Sequence, residues 1–116
     1  MKILVTGASG YIGGHVCKIA KEYGHTVHGW DTHIHGEYNN VDAYVDEFLH
    51  NDVTDTNITG TYDAVVHLAG RSVVPHSFLD PTEYYRVNVM GTANVLDKID
   101  TDHILFASTS TAWEMA

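Results

Sequence analysis

The sequence predicts an α/β fold: a doubly wound parallel sheet in a three-layer sandwich, with strand order 3-2-1-4-5. Three observations point there. Apolar runs of strand length alternate with segments of helical period along the chain. The first run, Ile3-Leu4-Val5, is apolar at every position, as expected for a strand covered on both faces. The opening stretch, "MKILVTGASGYIGGHVCKIA", also places Gly7, Gly10 and Gly13 between that run and a helical pattern. Strand alternating with helix implies right-handed crossovers and helices on both faces of the sheet.

Each element has its own signal. Ile12, Val16, Ile19, Ala20 and Tyr23 recur at helical spacing after the glycines, and Gly24 supplies a stop. Thr26 to Trp30 reads as a second strand ending at Asp31, and residues 32 to 44, with Gly36, Asn39 and Asn40, as a loop. Glu47 to His50 is a third strand ending at Asn51-Asp52, followed by a short turn or helix around 54 to 58. Asp63 to Ala69 is the clearest interior strand after the first. Pro81 opens a long helix to residue 98, with Tyr85, Val89, Ala93 and Leu96 on one face. His103 to Ala107 is the fifth strand. No linker, repeat or low-complexity tract interrupts the pattern, so residues 1–116 are expected to form one domain.

Composition narrows the function classes. A chain of 116 residues with 44% hydrophobic content can bury roughly two thirds of its unfolded surface. Fifteen acidic residues against six basic give a formal charge of −9, which argues against a nucleic-acid surface. No apolar run approaches the roughly 20 residues of a membrane helix, and the short start before Gly7 does not make a signal peptide. The expectation is a cytoplasmic protein. Cys17, the single cysteine, excludes an intrachain disulfide and falls on the first helix as a packing residue.

The glycine spacing has a chemical reading. Gly7 lets the chain turn off the strand, Gly10 lets the backbone approach a pyrophosphate, and Gly13 lets the helix pack closely. The amides near Tyr11 and Ile12, with the helix dipole behind them, would then face negative charge. Asp31 stands at the tip of the second strand, near the roughly 20-residue spacing of a carboxylate that takes ribose hydroxyls. No arginine follows it; Thr32-His33 does. A carboxylate there repels a 2′-phosphate, so NAD is expected over NADP.

These residues resemble the extended short-chain dehydrogenase/reductase family, which includes NAD-dependent nucleotide-sugar epimerases and dehydratases. Thr6 to Gly13 is similar to its TGxxGxxG turn, and Asp52-Val53 to its adenine-contacting pair. His67-Leu68-Ala69-Gly70 resembles the strand end that lines the cofactor. Tyr84 to Thr92 resembles the YxxNVxGT helix, in which Asn88 holds the supporting asparagine's place. Phe106 to Trp113 resembles the FxSSSxxVYG segment, which sets Ser108 beside the cofactor and Thr109 at the catalytic Ser/Thr position. The resemblance implies a Rossmann-like fold, bound NAD, and hydride transfer to and from a nucleotide-sugar carbon.

The departures are equally specific. None of the seven tyrosines has lysine four residues later, so the family's Tyr-x-x-x-Lys acid/base pair would have to come from elsewhere. The family's C-terminal substrate domain is absent from residues 1–116, and Trp113-Glu114 replaces Tyr-Gly. Three readings stay open: the cofactor half of an epimerase-type enzyme, a non-catalytic NAD(H)-binding module, or a truncated remnant. A homodimer is expected, through residues 103–107 as a sheet edge or through the helix from 81 to 98, which resembles one in the family's dimer bundle.

Other candidates are weaker. His33, His35 and Asp31 could approach a metal, but no further ligand pair has metal spacing, and no metal is expected. Ser108, Thr109 and Ser110 lack the G-x-S-x-G elbow of a serine nucleophile. His76 reads as a solvated loop histidine, His67 as a hydrogen-bonded core residue, and Tyr84-Tyr85 as packing. Asp42, Asp46 and Glu47 read as a solvated acidic face.

Overall fold

The computed structural model describes residues 1–32, 41–71 and 74–107. Strands β1 (Lys2–Thr6), β2 (Thr26–Trp30), β3 (Glu47–Leu49), β4 (Gly60–Thr61), β5 (Ala64–His67), β6 (Ile99–Asp100) and β7 (Ile104–Phe106) all pair in parallel. Five form one sheet in the order β3-β2-β1-β5-β7. This is the predicted 3-2-1-4-5 order once β4 and β6 are set aside. Those two, two residues each, make a separate parallel pair that no periodicity could announce.

The central strand is the most buried. Leu4 and Val5 of β1 and Val65 of β5 are fully buried, and side chains from the two faces feed two cores. Leu4, Trp30, Val53, Ile58, Val65, Val95 and Ile99 cluster on one side. Ile3, Val5, Ala8, Cys17 and Val27 cluster on the other, under helix α1 (Tyr11–Glu22). Two covered faces are what a continuous apolar strand requires.

Helix α1 buries the expected face only in part. Val16 and Ala20 pack against the core, while Ile12, Ile19 and Tyr23 are exposed and Gly13, Gly14 and Cys17 are buried. The start of the helix approaches the turn below it so closely that Gly13 has no room for a Cβ, and this shifts the inward face toward small residues. Burial pushes the Cys17 thiol up to about 12, which fits packing and not reactivity.

The long helix from Pro81 is also re-registered. It runs as α3 (Pro81–Tyr85), a π segment (Arg86–Met90) and α4 (Gly91–Lys98), preceded by a short α2 (Val74–Leu79). Asp80 caps α3 by accepting the Glu83 amide, with Pro81 in the first turn. Gly91 and Val95 are buried, whereas Tyr85, Val89 and Leu96 are exposed. The extra residue of the π turn rotates the later turns relative to an unbroken 3.6 period. His76 therefore belongs to a short helix, not a loop, and Tyr85 is not packed among the described residues.

Asp46 corrects another expectation. It accepts from Lys21 Nζ at 2.8 Å and from the Val27 amide at 2.7 Å, so it ties α1 to β2. The Lys21 bond, then the amide, holds its carboxyl below the ordinary range. Glu47 lies 3.5 Å from His28 Nδ1, while the Asp42 side chain falls outside the described residues. No helix among the described residues is long and apolar enough to cross a membrane.

Gly7 carries the tightest turn. Its φ is +72°, and a Cβ there would stand 2.8 Å from the Leu68 carbonyl carbon and the Ala69 nitrogen. Gly24, at φ +85°, has nothing within 4 Å. Gly24→Ala is expected to cost about 1 kcal/mol in urea unfolding, the left-handed backbone penalty alone. Gly7→Ala should cost about 3 kcal/mol or more, because it adds a backbone collision. Equal losses would contradict this account of the turn.

Candidate functional site

The carboxyl ends of β1, β2 and β5 meet at one point. The amides of Gly7 and Ala8 both donate to the Trp30 carbonyl, at 2.9 and 3.1 Å, so the turn leaving β1 is hooked over the end of β2. A Cβ on Gly13 would collide with the Gly7 carbonyl. The first turn of α1 is thus pressed against the glycine turn itself, which is closer contact than packing on the sheet.

Gly10 differs. Its φ of −73° suits any residue, and a Cβ would meet only the Gly7 carbonyl oxygen, at 3.3 Å. The fold alone makes a modest demand for glycine there; a ligand lying close to the backbone would make a strict one. No side chain caps the amino end of α1, and no acidic residue occupies its first turn. Nothing in that turn therefore offsets the positive end of the helix dipole.

Asp31 follows β2 directly. Its Oδ2 accepts the Ser9 amide at 3.0 Å, which fixes the carboxylate to the glycine turn. Beside it opens a cavity of about 290 Å³. Of the predicted residues, Gly7, Asp31, Asp52, Val53, Leu68, Ala69 and Gly70 line it. Gly10, Tyr11, Ile12 and Gly13 stand at the start of α1 at the same end of the sheet, outside that lining. Ser108, Thr109, His33 and His35 lie outside the described residues, as does the side chain of His76. Among the described residues no group of three acidic, histidine or cysteine side chains could hold a metal.

Asn88 acts one step back from the cavity. Its Oδ1 accepts the Arg71 amide at 2.7 Å and its Nδ2 donates to the Arg71 carbonyl at 2.9 Å. One side chain thus satisfies both backbone groups of the residue after the Leu68-Ala69-Gly70 wall. The π segment is what places Asn88, a use such segments often serve at functional sites.

Several contributors make contacts that the sequence motifs do not disclose. Thr6 Oγ1 accepts the amides of Leu68 and Ala69, at 3.1 and 3.2 Å. Its proton then goes to His67 Nδ1 at 2.7 Å, which makes Nε2 the protonated nitrogen, donating to Thr92 Oγ1 at 3.0 Å. Thr92 in turn donates to the Asn88 carbonyl at 2.6 Å. A single directed chain joins β1, β5 and the long helix through a neutral, buried histidine. Around the cavity, Glu83 receives Arg86 at 2.8 Å and Arg71 at 2.9 Å. Hydrogen bonds from Arg86, then Arg71, hold the Glu83 carboxyl down at about 2. The only sequence trace of this pairing is the i,i+3 spacing of Glu83 and Arg86.

Among the described residues, three buried polar atoms find no partner: Ser9 Oγ in the glycine turn, and Trp30 Nε1 and Arg71 Nε from residues of the cavity lining. A polar ligand with hydroxyl donors for the carboxylates and acceptors for these N–H groups fits the cavity, and an anionic part fits the uncapped start of α1.

Comparison with known proteins agrees with the geometry. The model of the NAD dependent epimerase/dehydratase family matches residues 3–115. The chain belongs to that family. It is similar to a UDP-glucose 4-epimerase of Halalkalibacterium halodurans, 35% identical over 122 residues, covering 97% of this chain and 36% of that protein. Among solved structures, UDP-glucose 4-epimerase of Thermotoga maritima with UDP-glucose superposes with a TM-score of 0.83 at 27% identity, over 94% of this chain and 38% of that one. The Thermus thermophilus UDP-glucose 4-epimerase complex with NAD gives 0.74 at 29% identity, over 84% and 33%. This member of the epimerase/dehydratase family thus spans about a third of the length of the curated relatives it matches first.

Burial holds the His67 pKa below the usual histidine value. In the unfolded chain it protonates at about pH 6.5. The contribution of neutral His67 to stability is therefore complete above about pH 6.5 and declines as pH falls toward the lowered folded value. Urea unfolding at pH 7.5 and 5 should show wild type losing more stability than His67→Asn. An identical loss in both would contradict the neutral relay. Glu83 and Asp46, with lowered values, contribute at both of these pH values and lose that contribution only as pH falls below the ordinary carboxylate range.

Proposed function

We propose that this chain binds NAD across the carboxyl ends of β1, β2 and β5 and forms the cofactor half of an epimerase-type enzyme acting on a nucleotide sugar. The observation that carries the reading is the Asp31 carboxylate, anchored to the Ser9 amide between an uncapped helix start and a cavity. Gly7, Gly10, Tyr11, Ile12 and Gly13 would take the pyrophosphate, and Asp31 the ribose hydroxyls. Asp52 and Val53 would hold the adenine. Leu68, Ala69 and Gly70 would line the path of the cofactor, with Asn88 keeping that wall in place and Ser108 beside it. When bound, the dinucleotide supplies a reversible hydride acceptor.

This chain's residues supply binding and orientation. Thr109, whose hydroxyl is a poor base at neutral pH, would hydrogen-bond a substrate oxygen and not remove its proton. The base would be a Tyr/Lys pair outside residues 1–116. A second reading is a module that binds NAD(H) without turnover. Supplying NAD and a panel of nucleotide sugars separates them: turnover lost in Thr109→Val favours the enzyme, and tight binding without turnover favours the module. Residues 1–116 are taken as one cofactor domain in a cytoplasmic setting. A homodimer is part of the proposal, supported by the exposed stripe of Tyr85, Val89 and Leu96 and the exposed residues Ile104, Leu105 and Phe106 at the β7 edge.

The charge of the cavity speaks to cofactor choice. Asp31, Asp52 and Glu83 outnumber Arg71 and Arg86 in its lining, and both arginines are engaged by Glu83. A 2′-phosphate would meet a net negative wall. Calorimetric titration should show NAD binding about tenfold or more tightly than NADP. Asp31→Asn should narrow that gap. Equal affinity of wild type for both cofactors would refute the assignment of Asp31.

A further inference from the structure

The turn after β3 is held from the long helix by a set of bonds that the binding motifs do not require. Asp52 Oδ1 accepts two donors from Thr54: the backbone amide at 2.9 Å and the hydroxyl at 2.7 Å. Thr54 Oγ1 itself accepts from Arg86 Nη1 at 2.7 Å. Arg86 is oriented in turn by a fork on Glu83, with Nε at 2.9 Å from Oε2 and Nη2 at 2.8 Å from Oε1. From α4, Asn94 Nδ2 donates to the Val53 carbonyl at 2.8 Å and to the Asp55 carbonyl at 2.6 Å.

The direction of this chain is forced. A guanidinium only donates, so Thr54 Oγ1 must accept from Arg86 and send its own proton to Asp52. Asp52 Oδ1 is then saturated by two donors. Oδ2 is the oxygen left to accept from a ligand, and Asp52 lines the cavity beside buried Val53. An ionised carboxylate has no proton to donate. A site built this way takes a ring that presents an N–H and disfavours one that presents a carbonyl at the same place.

We propose that Arg86 and Thr54 are positioning residues that lock the Asp52 carboxylate in one orientation, with Oδ2 left to accept, and that this lock selects a 6-aminopurine over a 6-oxopurine. The proposal rests on the dinucleotide reading above and adds to it which residues set base selectivity. Glu83 orients Arg86, and Asn94 keeps the backbone of the turn in register. Loss of the Thr54 hydroxyl would leave Oδ1 with one donor and Arg86 Nη1 without an acceptor, freeing the carboxylate to rotate.

The test compares NAD with nicotinamide hypoxanthine dinucleotide, which carries a carbonyl where adenine has its amine. Affinities are measured by calorimetry on wild type, Thr54→Val, Thr54→Ser and Arg86→Met, with thermal unfolding to show that each variant is folded. Wild type should prefer NAD by about tenfold or more, the scale on which a site built for a hydrogen-bond donor rejects its absence. In Thr54→Val and Arg86→Met the preference should fall to about twofold, chiefly through weaker NAD binding. Thr54→Ser, which keeps the hydroxyl, should retain it; a purely packing role for Thr54 would give the opposite order, because valine conserves the shape. An unchanged preference in folded Thr54→Val overturns the lock. Equal binding of both dinucleotides by wild type overturns the selectivity while leaving the cofactor site standing. Binding of neither by wild type overturns the dinucleotide reading itself, and this inference with it.

Discussion

The site depends on the close approach between the turn that leaves β1 and the strand ends on either side of it. The Trp30 carbonyl collects two amides from Gly7 and Ala8, while the α-carbon of Gly7 rests against the Leu68–Ala69 backbone with no room for a methyl group. That contact brings the tips of β1, β2 and β5 within one cavity's width. It also fixes where α1 begins and where its positive end points. Asp31 is then in place without any special loop, because it is simply the residue after β2, tethered to the Ser9 amide. Parallel sheets bind ligands at their carboxyl ends for this geometric reason.

A second constraint connects the sheet to the helix that follows it. Thr6, His67, Thr92 and the Asn88 carbonyl form a one-way hydrogen-bond chain through the interior. Asn88 then grips both backbone groups of Arg71 on the cavity side. Movement at the cavity wall is therefore coupled to a buried polar network in which each member satisfies the next. Such networks are rigid when complete and costly when broken. The Glu83–Arg86–Thr54–Asp52 chain repeats the arrangement on the Asp52 side, so one helix supports both halves of the cavity.

Much of this was legible in the sequence, and the failures have physical causes. The parallel sheet followed from alternating periods and the switch at the glycines, and its strand order from the Rossmann-like fold that the family resemblance implies. Asp31 followed from its place at a strand end and its spacing from the glycines, and Asp52 and Leu68 to Gly70 from the resemblance. The inward face of α1 was read only in part, right at Val16 and Ala20 and wrong at Ile12, Ile19 and Tyr23, because hydrophobic size marks the core only where there is room for size. Under Gly13 there is none, so Gly13, Gly14 and Cys17 point in while Ile12 and Ile19 face out. The long helix was misphased because a π turn has no signature in a 3.6-residue pattern. The contacts of Thr6, Arg86 and Thr92, inside the recognised motifs, and of Thr54 and Asn94, outside them, were missed for a different reason. Each acts through a partner far away in the chain, and ordinary polar residues carry no spacing that announces such a contact. Asp46 belongs with them: it looked like a solvated acid until Lys21 and the Val27 amide were seen beside it.

The central claim is that backbone amides of the first crossover, with a carboxylate at the neighbouring strand tip, form a dinucleotide site. Its most direct test is a titration of the isotopically labelled protein with NAD, followed by amide chemical shifts. Saturable shifts that are largest at Gly7, Gly10, Tyr11, Ile12, Gly13 and Asp31 are predicted, with smaller ones at Asp52 and Gly70. Binding that instead perturbs only the α4 and β7 surface, or no saturable shift at the crossover amides, would contradict it.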